Sequence, residues 1–372
     1  MNSPFRYQHL IDLLTGWEKT TYPLDAFISR YFRNNRSAGA KDRKWITEHA
    51  YLLVRWKTFL DYKEKKPSWI TRYERLLHPL PIDVIKKAPR YLQCAFPKWY
   101  YQKLEESYGD QAFSLCQTLN EEAPTTVRVN TYLTDRKTLF AKWAPLYPVY
   151  LTKLSPMGIS FRKRINFFAL DEFKQGLFEV QDEGSQLIAL FTKAKPKEKI
   201  LDYCSGSGGK SLALAPFMEG SGQLFLHDIR TSALVQAKKR LKRAHIQNAQ
   251  IVLPEKKAKR RLKGNMDTVL LDVPCSGSGT LRRNPDMKWK STLSGMLALV
   301  ETQKMLFQEA LLYVKKGGKI IYSTCSLFPD ENQDQVAYFL EHFPVKLLEQ
   351  KQILPVSQAH DGFFMAAFQA FC

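Results

Sequence analysis

The sequence has no apolar run long enough to cross a lipid bilayer, and it lacks the pattern of a signal peptide at its start. Met1–Leu10 is polar and mixed, without the short basic stretch and apolar stretch that direct export. These absences argue against a membrane-spanning or exported protein. We therefore expect a cytoplasmic location and no membrane partner.

The sequence also lacks the cysteine spacing of a metal site. No two of its six cysteines stand at C-x-x-C spacing, which argues against structural zinc, and we expect no metal. Without a secretory signal, a disulfide framework is not expected either. Packing or thiol chemistry remains for these residues, which are Cys94, Cys116, Cys204, Cys275, Cys325 and Cys372.

Acidic residues are scarce relative to basic ones. Lys plus Arg total 56 against 36 Asp plus Glu, which gives a net charge of +20. Between Lys238 and Lys263 there are eleven basic residues and one acid, Glu255. The first hundred residues hold nineteen basic and nine acidic side chains. Such a concentrated excess predicts a polyanionic partner, most simply a nucleic acid, and argues against a merely solvated basic surface.

The spacing of apolar residues changes along the chain and predicts three regions. Residues 1–95 have the three- and four-residue spacing that is typical of helices, and residues 96–175 indicate a small α+β segment. Residues 176–372 alternate short apolar strands with helices, which predicts a doubly wound, Rossmann-like α/β domain. Gly362–Phe371 is expected to close its sheet as an antiparallel edge. The other expected strands are Thr125–Thr131, Ile200–Tyr203, Gln223–Ile229, Asp267–Asp272 and Lys319–Thr324.

A glycine-rich turn follows the first strand of the last region. The segment LDYCSGSGGKS, Leu201–Ser211, leads from that strand into an expected helix, Lys210–Met218. Glycine lets the backbone approach a bound ligand closely. The segment nearly matches the phosphate-binding pattern G-x-x-x-x-G-K-S, but Cys204 stands where the first glycine is required. Taken alone, the turn indicates either a ligand site or a helix packed closely on a sheet.

An acid follows the next strand of this region. Asp228 ends LFLHD about twenty residues after the glycine turn, where a carboxylate can accept hydrogen bonds from both ribose hydroxyls of a nucleoside cofactor. The alternative is a helix N-cap just before Ser232. The sequence leaves both interpretations open.

Two further strands each lead into a cysteine that is followed by serine. LLDVPCSGSG carries Asp272 and Cys275 after one strand, and IIYSTCS carries Cys325 after another. Because the carboxyl ends of parallel strands lie along one edge of a sheet, we expect the two thiols to share one site. A single cysteine in such a position would more often be structural than reactive.

The pairing of PCSGSG with STCS resembles the Sun/NSUN family of S-adenosylmethionine-dependent RNA cytosine-C5 methyltransferases, and most closely its bacterial Sun-type 16S rRNA members. Within the α/β region the resemblance includes QDEGSQ at Gln181–Gln186 and HDGFFMAAF at His360–Phe368. VRVN at Val127–Asn130 is similar to the segment before the family's catalytic domain. KDRKWI at Lys41–Ile46 is similar to part of the antiterminator-like RNA-binding domain.

The resemblance implies a role for each candidate residue. Cys325 matches the nucleophile, which adds to carbon 6 of cytosine, and Cys275 matches a second cysteine that helps to release the product. Asp272 matches a cofactor-contacting position and is also expected to assist catalysis at N3 of the base. The other positions that match contacts to S-adenosylmethionine are Cys204, Ser205, Gly206, Ser207, Gly208, Gly209, Lys210 and Asp228.

The resemblance also implies RNA as the partner, with 16S rRNA as first choice and transfer RNA as second, and we expect a monomer. Residues 1–95 would be a helical RNA-binding domain, residues 96–175 a small RNA-binding or linker domain, and residues 176–372 the catalytic domain. Two positions depart from the family's pattern. Ser207 replaces a proline of the glycine turn, and the third strand, near Ile251–Glu255, lacks an acid that contacts adenine, Glu255 being only a displaced candidate.

Three other functions stay open on the sequence. A DNA cytosine-C5 methyltransferase would use Cys275 as its nucleophile, which leaves Cys325 without a role. A P-loop nucleotidase would hold magnesium with Lys210, Ser211 and Asp272, but the first glycine of its pattern is missing. A non-catalytic RNA-binding scaffold would have no need of intact cysteines, glycines and acids.

Overall fold

The computed structural model describes residues 4–255 and 259–371 of the 372-residue chain. Residues 256–258, at the start of the basic run 256–263, and Cys372 lie outside the described residues. The chain forms two compact units. The first runs through Glu122 and takes in Thr280–Gly295, and the second consists of Ala123–Gly279 and the residues from Met296 onward. The three-domain division at residues 95 and 175 stays a prediction.

The first unit is helical, as the spacing of its apolar residues predicts. A proline immediately precedes four of the helices, because its fixed φ and missing N–H suit the start of a helix and not its interior. The inner faces of the longer helices share a core that includes Leu13, Trp17, Leu53 and Trp69. The helices are Pro4–Glu18, Leu24–Asn34, Ala40–Arg55, Lys57–Leu60, Trp69–Leu77, Ile82–Lys86, Arg90–Gln93, Lys98–Tyr108, Gln111–Asn120 and Met287–Lys290.

A buried lysine ties the segment Thr280–Gly295 into this helical unit. The Lys288 ammonium donates to the carbonyl oxygens of Arg55 (2.9 Å) and Ala95 (2.9 Å) and to Oδ1 of Asn120 (2.7 Å). Its side chain is fully buried, and burial lowers the pKa of Lys288 well below its ordinary value. The three acceptors match the three donors of an ammonium, which offsets the loss of hydration.

The second unit begins with a small antiparallel sheet. Its strands are β1 Thr125–Val129, β2 Val149–Leu151, β3 Gly158–Phe161 and β4 Phe178–Val180, in the order β2–β3–β1–β4. The helices Arg136–Trp143 and Asp171–Lys174 accompany these strands, and the core between them is mainly aromatic, with Trp143, Phe161 and Phe178 in contact. The strand predicted at Thr125–Thr131 is confirmed as β1.

The larger sheet of the second unit has seven strands, namely β5 Lys199–Asp202, β6 Gln223–His227, β7 Ala249–Val252, β8 Met266–Asp272, β9 Val314–Thr324, β10 Val345–Ile353 and β11 Phe363–Ala370. They lie in the order β10–β11–β9–β8–β5–β6–β7. Strands β5 to β9 run parallel, whereas β11 pairs antiparallel with both β9 and β10.

Helices cover both faces of this sheet. Alternate residues of each strand point to opposite faces, so they pack into two separate hydrophobic cores. Leu201 and Leu271 pack on one side, against the helices Leu293–Leu311 and Gln333–His342. Ile200 and Leu270 pack on the other side, against the helices Glu183–Thr192, Gly209–Leu214 and Thr231–Arg243. The unit therefore contains the doubly wound, Rossmann-like α/β fold that the strand–helix alternation predicts.

Two predicted strands differ from the structure. Strand β11 is antiparallel, as predicted, but it lies between β10 and β9 and is not the edge. The edge is β10, whose largely exposed sequence VKLLEQKQI lacks the alternation that marks a strand. Strand β9 begins at Val314, before Gly317–Gly318 and not after it. These glycines lie within the strand, where a side chain at Gly318 would meet backbone oxygens at 2.9 and 3.0 Å.

The segment after β5 also differs in detail from the prediction. The helix expected at Lys210–Met218 is an α-helix only over Gly209–Leu214, and Ala215–Met218 forms a 3₁₀ turn. Pro216 explains the change, because it has no N–H for the helical ladder. Strand β6 ends at His227, so that Asp228 comes directly after it.

None of the described helices is both long and apolar enough to span a membrane.

Candidate active site

Four strand ends bring the predicted site residues to the carboxyl-terminal edge of the larger sheet, where its parallel strands end. Cys204 comes shortly after β5, Asp228 follows β6, Asp272 ends β8, and Cys325 follows β9. These four strands are parallel, so their carboxyl ends lie side by side. The fold thereby gathers residues that are far apart in the sequence.

The two cysteines of the predicted pair are in direct contact. Sγ of Cys275 lies 3.3 Å from Sγ of Cys325, and the backbone N–H of Cys325 donates to the Cys275 sulfur at 3.3 Å. Both residues are partly buried free thiols. The separation is that of a hydrogen bond between sulfurs and is well beyond the roughly 2.05 Å of a disulfide. The structure thus brings together the two motifs that the sequence pairs.

The surroundings make one of these thiols more acidic than the other. A hydrogen bond from Cys275 lowers the pKa of Cys325 against the opposing effects of burial and of the Asp272 carboxylate, and the Lys210 ammonium lowers it further. The same hydrogen bond, together with burial, raises the pKa of Cys275. The backbone N–H of Cys325 favours negative charge on the Cys275 sulfur, but the Lys210 ammonium favours negative charge on Cys325. Cys325 is therefore the thiol of the pair that ionises first.

An ion pair lies beside the thiols. Nζ of Lys210 is 2.5 Å from Oδ2 of Asp272, and the two side chains are 17% and 25% exposed. Burial lowers the pKa of Lys210, but the attraction of Asp272 and their hydrogen bond outweigh this effect and raise it. Ser323 Oγ lies 3.4 Å from the other carboxylate oxygen of Asp272. The pair places a permanent positive charge and an oriented carboxylate next to the thiols.

The glycine turn after β5 has a backbone that favours glycine. Gly206 and Gly208 have φ angles of +54° and +80°. Ser207, which replaces the proline of the family pattern, is held by Arg240, whose Nη1 donates to its carbonyl oxygen (2.9 Å) and its hydroxyl (2.8 Å). The turn therefore keeps a defined shape without the proline.

The remaining predicted positions of the turn also lie at this edge. The N–H of Ser205 donates to the His227 carbonyl at 2.9 Å, which ties the turn to the end of β6. Gly209 begins the helix Gly209–Leu214. Burial raises the pKa of Cys204, which makes its thiol a poorer nucleophile than Cys325.

Asp228 binds the backbone of the turn and does not cap a helix. Its Oδ2 accepts from the N–H of Gly206 at 2.8 Å, and its Oδ1 accepts from the N–H of Arg230 at 2.8 Å. Burial raises the pKa of Asp228, but the hydrogen bonds from Arg230 and Gly206 outweigh it and lower the pKa. The helix Thr231–Arg243 has Arg230 at its N-cap position and no side-chain cap. The N-cap alternative for Asp228 is therefore wrong.

The third strand of the sheet lacks the acid that the family pattern has there. Strand β7 ends at Val252, and Glu255 lies three residues further on with an exposed side chain. The carbonyl oxygen of Val252 instead bonds Nδ1 of His227 at 3.0 Å.

Two buried acids of this edge were missed by the sequence analysis. Asp202, the last residue of β5, accepts from the Ser211 hydroxyl at 2.7 Å, and burial raises its pKa to about 7. Its position at a strand end, before a glycine turn, is a signal that could have found it. Glu331 is fully buried and accepts from Ser276 and Ser326. Its sequence context, PDEN after a strand, reads as an exposed turn and gives no such signal.

Comparison with known proteins identifies relatives of the chain. Residues 189–369 match the family model described as 16S rRNA methyltransferase RsmB/F, and residues 96–166 match the Methyltr_RsmF/B-like, ferredoxin-like domain. A probable ribosomal RNA small subunit methyltransferase B of Synechocystis sp. is 32% identical over 67% of this chain and 57% of the relative. Ribosomal RNA small subunit methyltransferase B of Sodalis glossinidius is 30% identical over 80% of this chain and 70% of the relative.

A solved structure extends the likeness to the whole fold. The crystal structure of PH0851 superimposes with a TM-score of 0.82 at 20% identity, over 99% of both chains. The present chain spans only 57% to 65% of the length of three curated relatives that it matches. Over the shared part, the family models and the relatives at 30% identity and above agree. The chain belongs to the RsmB/F family of 16S rRNA methyltransferases.

Proposed function

We propose that the chain transfers a methyl group from S-adenosylmethionine to carbon 5 of a cytosine in RNA, by way of a covalent bond between Cys325 and carbon 6 of the base. The observation that carries the proposal is the contact between the Cys275 and Cys325 sulfurs, 3.3 Å apart. The hydrogen bond from Cys275 and the neighbouring Lys210 ammonium support it, since both favour the thiolate form of Cys325.

The residues after β5 and β6 fit a nucleoside cofactor. A side chain added at Gly206 would find only the Arg230 head group nearby, at 3.6 Å, so a ligand can approach the backbone closely. The Arg230 side chain that covers Asp228 is 68% exposed and can move aside, which frees carboxylate oxygens for ribose hydroxyls. Asp202 adds a buried oxygen with no partner in the described chain. S-adenosylmethionine, when bound there, supplies an electrophilic methyl group.

The thiolate of Cys325 activates the base. Carbon 5 of cytosine is a poor nucleophile in the aromatic ring. When the sulfur's electron pair forms an S–C6 bond, the electrons of the C5–C6 double bond become available at carbon 5 for methylation. N3 takes up a proton in this step. We assign its delivery to Asp272, whose carboxylate takes a proton from the Lys210 ammonium 2.5 Å away and passes it to N3.

The product is released by the reverse movement of electrons. The proton on carbon 5 leaves, its electron pair re-forms the C5–C6 double bond, and the S–C6 pair returns to the Cys325 sulfur. N3 gives its proton back to Asp272. We assign Cys275 as the base for this proton, because its sulfur lies in contact with that of Cys325. Before this step the Cys275 thiol gives its own proton to solvent, and its raised pKa makes the resulting thiolate a strong base.

The substrate we propose is 16S rRNA. The relatives in Synechocystis and Sodalis are named as ribosomal RNA small subunit methyltransferases, and a net charge of +20 suits a phosphate backbone. The target cytosine must be unpaired or flipped, because both faces of its C5–C6 bond are covered in a helix. Transfer RNA is the second candidate. We assign RNA binding to residues 1–95 and 96–175 and methyl transfer to residues 176–372, acting as a monomer in the cytoplasm.

Bisulfite sequencing of total RNA from cells with and without the gene tests this function. We expect one protected cytosine of 16S rRNA to disappear with the gene and to return with the wild-type chain. Cys325→Ala should not restore it. Cys116→Ala, which removes a buried thiol of the helical unit, should restore it and serves as the matched control.

Each other result points to a different function. A methylation site lost from transfer RNA would move the substrate to that class. Full activity of Cys325→Ala together with an inactive Cys275→Ala would indicate the DNA-methyltransferase type of nucleophile. RNA binding with an unchanged RNA methylation map would support the scaffold alternative.

A further inference from the structure

The residue after each site cysteine is a serine, and both serines bind one carboxylate. Ser276 donates to Glu331 twice, from its N–H at 2.8 Å and from its hydroxyl at 2.5 Å. Ser326 donates its hydroxyl to the same carboxylate at 2.5 Å. The two serines are also 3.2 Å apart through their hydroxyl oxygens. Glu331 therefore joins the loop that carries Cys275 to the loop that carries Cys325.

The full burial of the Glu331 carboxylate among neutral groups is unusual. Its side chain is fully buried, and the hydrogen-bond donors around it are neutral hydroxyl, amide and backbone groups. Burial raises the pKa of Glu331 against the lowering effect of these hydrogen bonds. An unsolvated carboxylate destabilises a fold unless several donors satisfy it. The bonds from two separate loops supply those donors, and the same bonds fix the loops.

A second layer of side chains holds Glu331 itself. Gln303 donates to its carboxylate at 3.1 Å and to the carbonyl oxygen of Pro274, the residue before Cys275, at 3.0 Å. The Tyr322 hydroxyl donates to the backbone oxygen of Glu331 at 2.7 Å and lies 3.1 Å from the amide oxygen of Gln303. The carboxylate is thus anchored from the helix Leu293–Leu311 and from strand β9.

Two hydrogen bonds from backbone N–H groups also cross between the same loops. The N–H of Gly279 donates to the carbonyl oxygen of Cys325 at 2.9 Å, and the N–H of Leu327 donates to the Ser278 hydroxyl at 2.6 Å. These bonds keep the loops adjacent, but neither touches the residue that follows Cys275. The Ser278 hydroxyl lies 3.2 Å from the Ser276 hydroxyl and 3.0 Å from that of Ser326, and the carboxylate of Glu331 is the charged acceptor that both serines share.

We propose that Glu331 is a positioning residue that holds the Cys275 and Cys325 thiols at hydrogen-bond distance by binding the serine after each cysteine. The strength of the sulfur–sulfur hydrogen bond depends on the distance and direction between the two thiols, so a shift of one loop against the other weakens it. Loss of the carboxylate therefore uncouples the two thiols. The consequence for methyl transfer rests on the proposed function, whereas the coupling of the thiols can be measured without RNA or cofactor.

The test is a double-variant cycle on the acidity of Cys325. The alkylation rate of Cys325 by iodoacetamide is followed against pH, with the modified peptide quantified by mass spectrometry. The four full-length proteins are the wild type, Cys275→Ala, Glu331→Ala and the double variant. With Glu331 present, Cys275→Ala should raise the apparent pKa of Cys325 by about 1 pH unit, because it removes a hydrogen bond to the thiolate. In the Glu331→Ala background, Cys275→Ala should raise the apparent pKa of Cys325 by less than about 0.3 pH units.

The cycle is insensitive to the charge of Glu331 itself. Loss of that charge lowers the pKa of Cys325 equally in Glu331→Ala and in the double variant, so it cancels in the difference between those two proteins. Glu183→Ala is the matched control, because Glu183 is also a buried acid of the second unit and binds the N–H groups of Leu154 and Ser155 instead. It should leave the full shift in place. An equal shift with and without Glu331 would overturn the proposal.

A milder variant keeps the test decisive if Glu331→Ala does not fold. Ser326→Ala removes one arm of the contact and should reduce the shift caused by Cys275→Ala to less than half. Glu331→Gln keeps an acceptor for the Ser276 N–H, lets the serine hydroxyls rotate, and should retain most of the shift. A full shift in Ser326→Ala would contradict the proposal.

Methyl-transfer kinetics distinguish a failure of the positioning role of Glu331 from a failure of the proposed function. Glu331→Ala should lower kcat about 100-fold and leave the KM values for RNA and cofactor within about twofold, because it misplaces the reacting groups without touching either ligand. Loss of the thiol coupling in a chain that never methylates RNA would sink the proposed function and leave the positioning role intact. Unchanged kcat in Glu331→Ala would overturn the positioning role in catalysis.

Discussion

The two units of the chain each bury a charged side chain among neutral partners, and the two charges serve different ends. In the helical unit, Lys288 donates to two backbone carbonyls and one side-chain amide, and it fastens the segment Thr280–Gly295 to helices far away in the sequence. In the α/β unit, Glu331 accepts from the serines beside the two site cysteines. The first charge joins elements of a core, and the second fixes the distance between two reactive atoms.

This difference shows that burial and hydrogen bonding alone do not tell whether a charge is structural or functional. The two cases differ in the residues that are adjacent in the sequence to the hydrogen-bond partners of each charge. The partners of Lys288 lie at or just after the ends of helices in the helical unit, whereas the partners of Glu331 are preceded by the two thiols of the candidate active site. Changes at the thiol site should therefore act on rate, and changes in the helical unit should act on stability.

The largest effect is expected from the nucleophile. Cys325→Ala should lower methyl transfer to RNA by more than about 10³-fold, because no other group replaces the covalent step. The unfolding midpoint in urea should stay the same, since only one sulfur is lost from a partly buried site. A residual rate above about a tenth of that of the wild type would contradict the claim that changes at the thiol site act mainly on rate.

A change of Lys288 should have the opposite signature. Lys288→Met keeps the aliphatic stem but leaves three acceptors without a donor, so the free energy of unfolding should fall by about 3 kcal/mol. Tryptophan fluorescence during urea unfolding is a suitable measurement, because six of the seven tryptophans lie in the helical unit. The exposed Lys98→Met is the control and should change little. A large loss of kcat in folded Lys288→Met would contradict the separation of roles.

The pH dependence of stability should reveal a third buried charge, that of Asp202. Burial raises its pKa from 3.8 to about 7, so the folded state holds this proton more tightly than the unfolded state. The stability it contributes is complete below pH 4 and is lost as the pH rises towards 7. Between pH 5 and pH 8 the wild type should lose about 2 kcal/mol relative to Asp202→Asn. Urea unfolding followed by circular dichroism measures this, and parallel pH curves would show that Asp202 is not buried as described.

The smallest effect is expected from an exposed ion pair. Lys193 and Glu349 lie 2.8 Å apart with side chains 69% and 46% exposed. Lys193→Ala should change the free energy of unfolding by less than about 0.5 kcal/mol, because water screens the pair. The same urea titration provides the value. A loss of more than about 1 kcal/mol would mean that the exposed fraction of a charged side chain does not indicate its contribution to the free energy of unfolding.

The parts of the site that the sequence predicts are those with a local signal. The glycine turn, Asp228 and the cysteines each stand directly at or after an apolar strand, and the parallel order of β6, β5, β8 and β9 then brings them to one edge. The chemistry of each residue could be expected from its position in a strand–turn unit. The doubly wound fold could be predicted for the same reason, because each strand–helix pair is contiguous in the sequence.

The parts that could not be predicted depend on contacts between distant segments. Glu331 acts on Ser276, 55 positions earlier in the sequence, and nothing in PDEN marks a buried carboxylate. Lys288 in DMKWK reads as an exposed basic residue, yet its ammonium lies in the helical core. The edge strand β10 has no apolar alternation because most of its side chains meet solvent, so the sequence predicts the next strand, β11, as the edge.

The most direct test of the central claim is the covalent adduct. Cys275→Ala is incubated with S-adenosylmethionine and small-subunit rRNA, denatured, and digested, and the peptide that remains attached to RNA is identified by mass spectrometry. The proposed mechanism predicts a stable adduct on the peptide that holds Cys325, and none in the Cys275→Ala, Cys325→Ala double variant. An adduct on another residue, or one that survives the loss of Cys325, would contradict the assignment of Cys325 as the nucleophile.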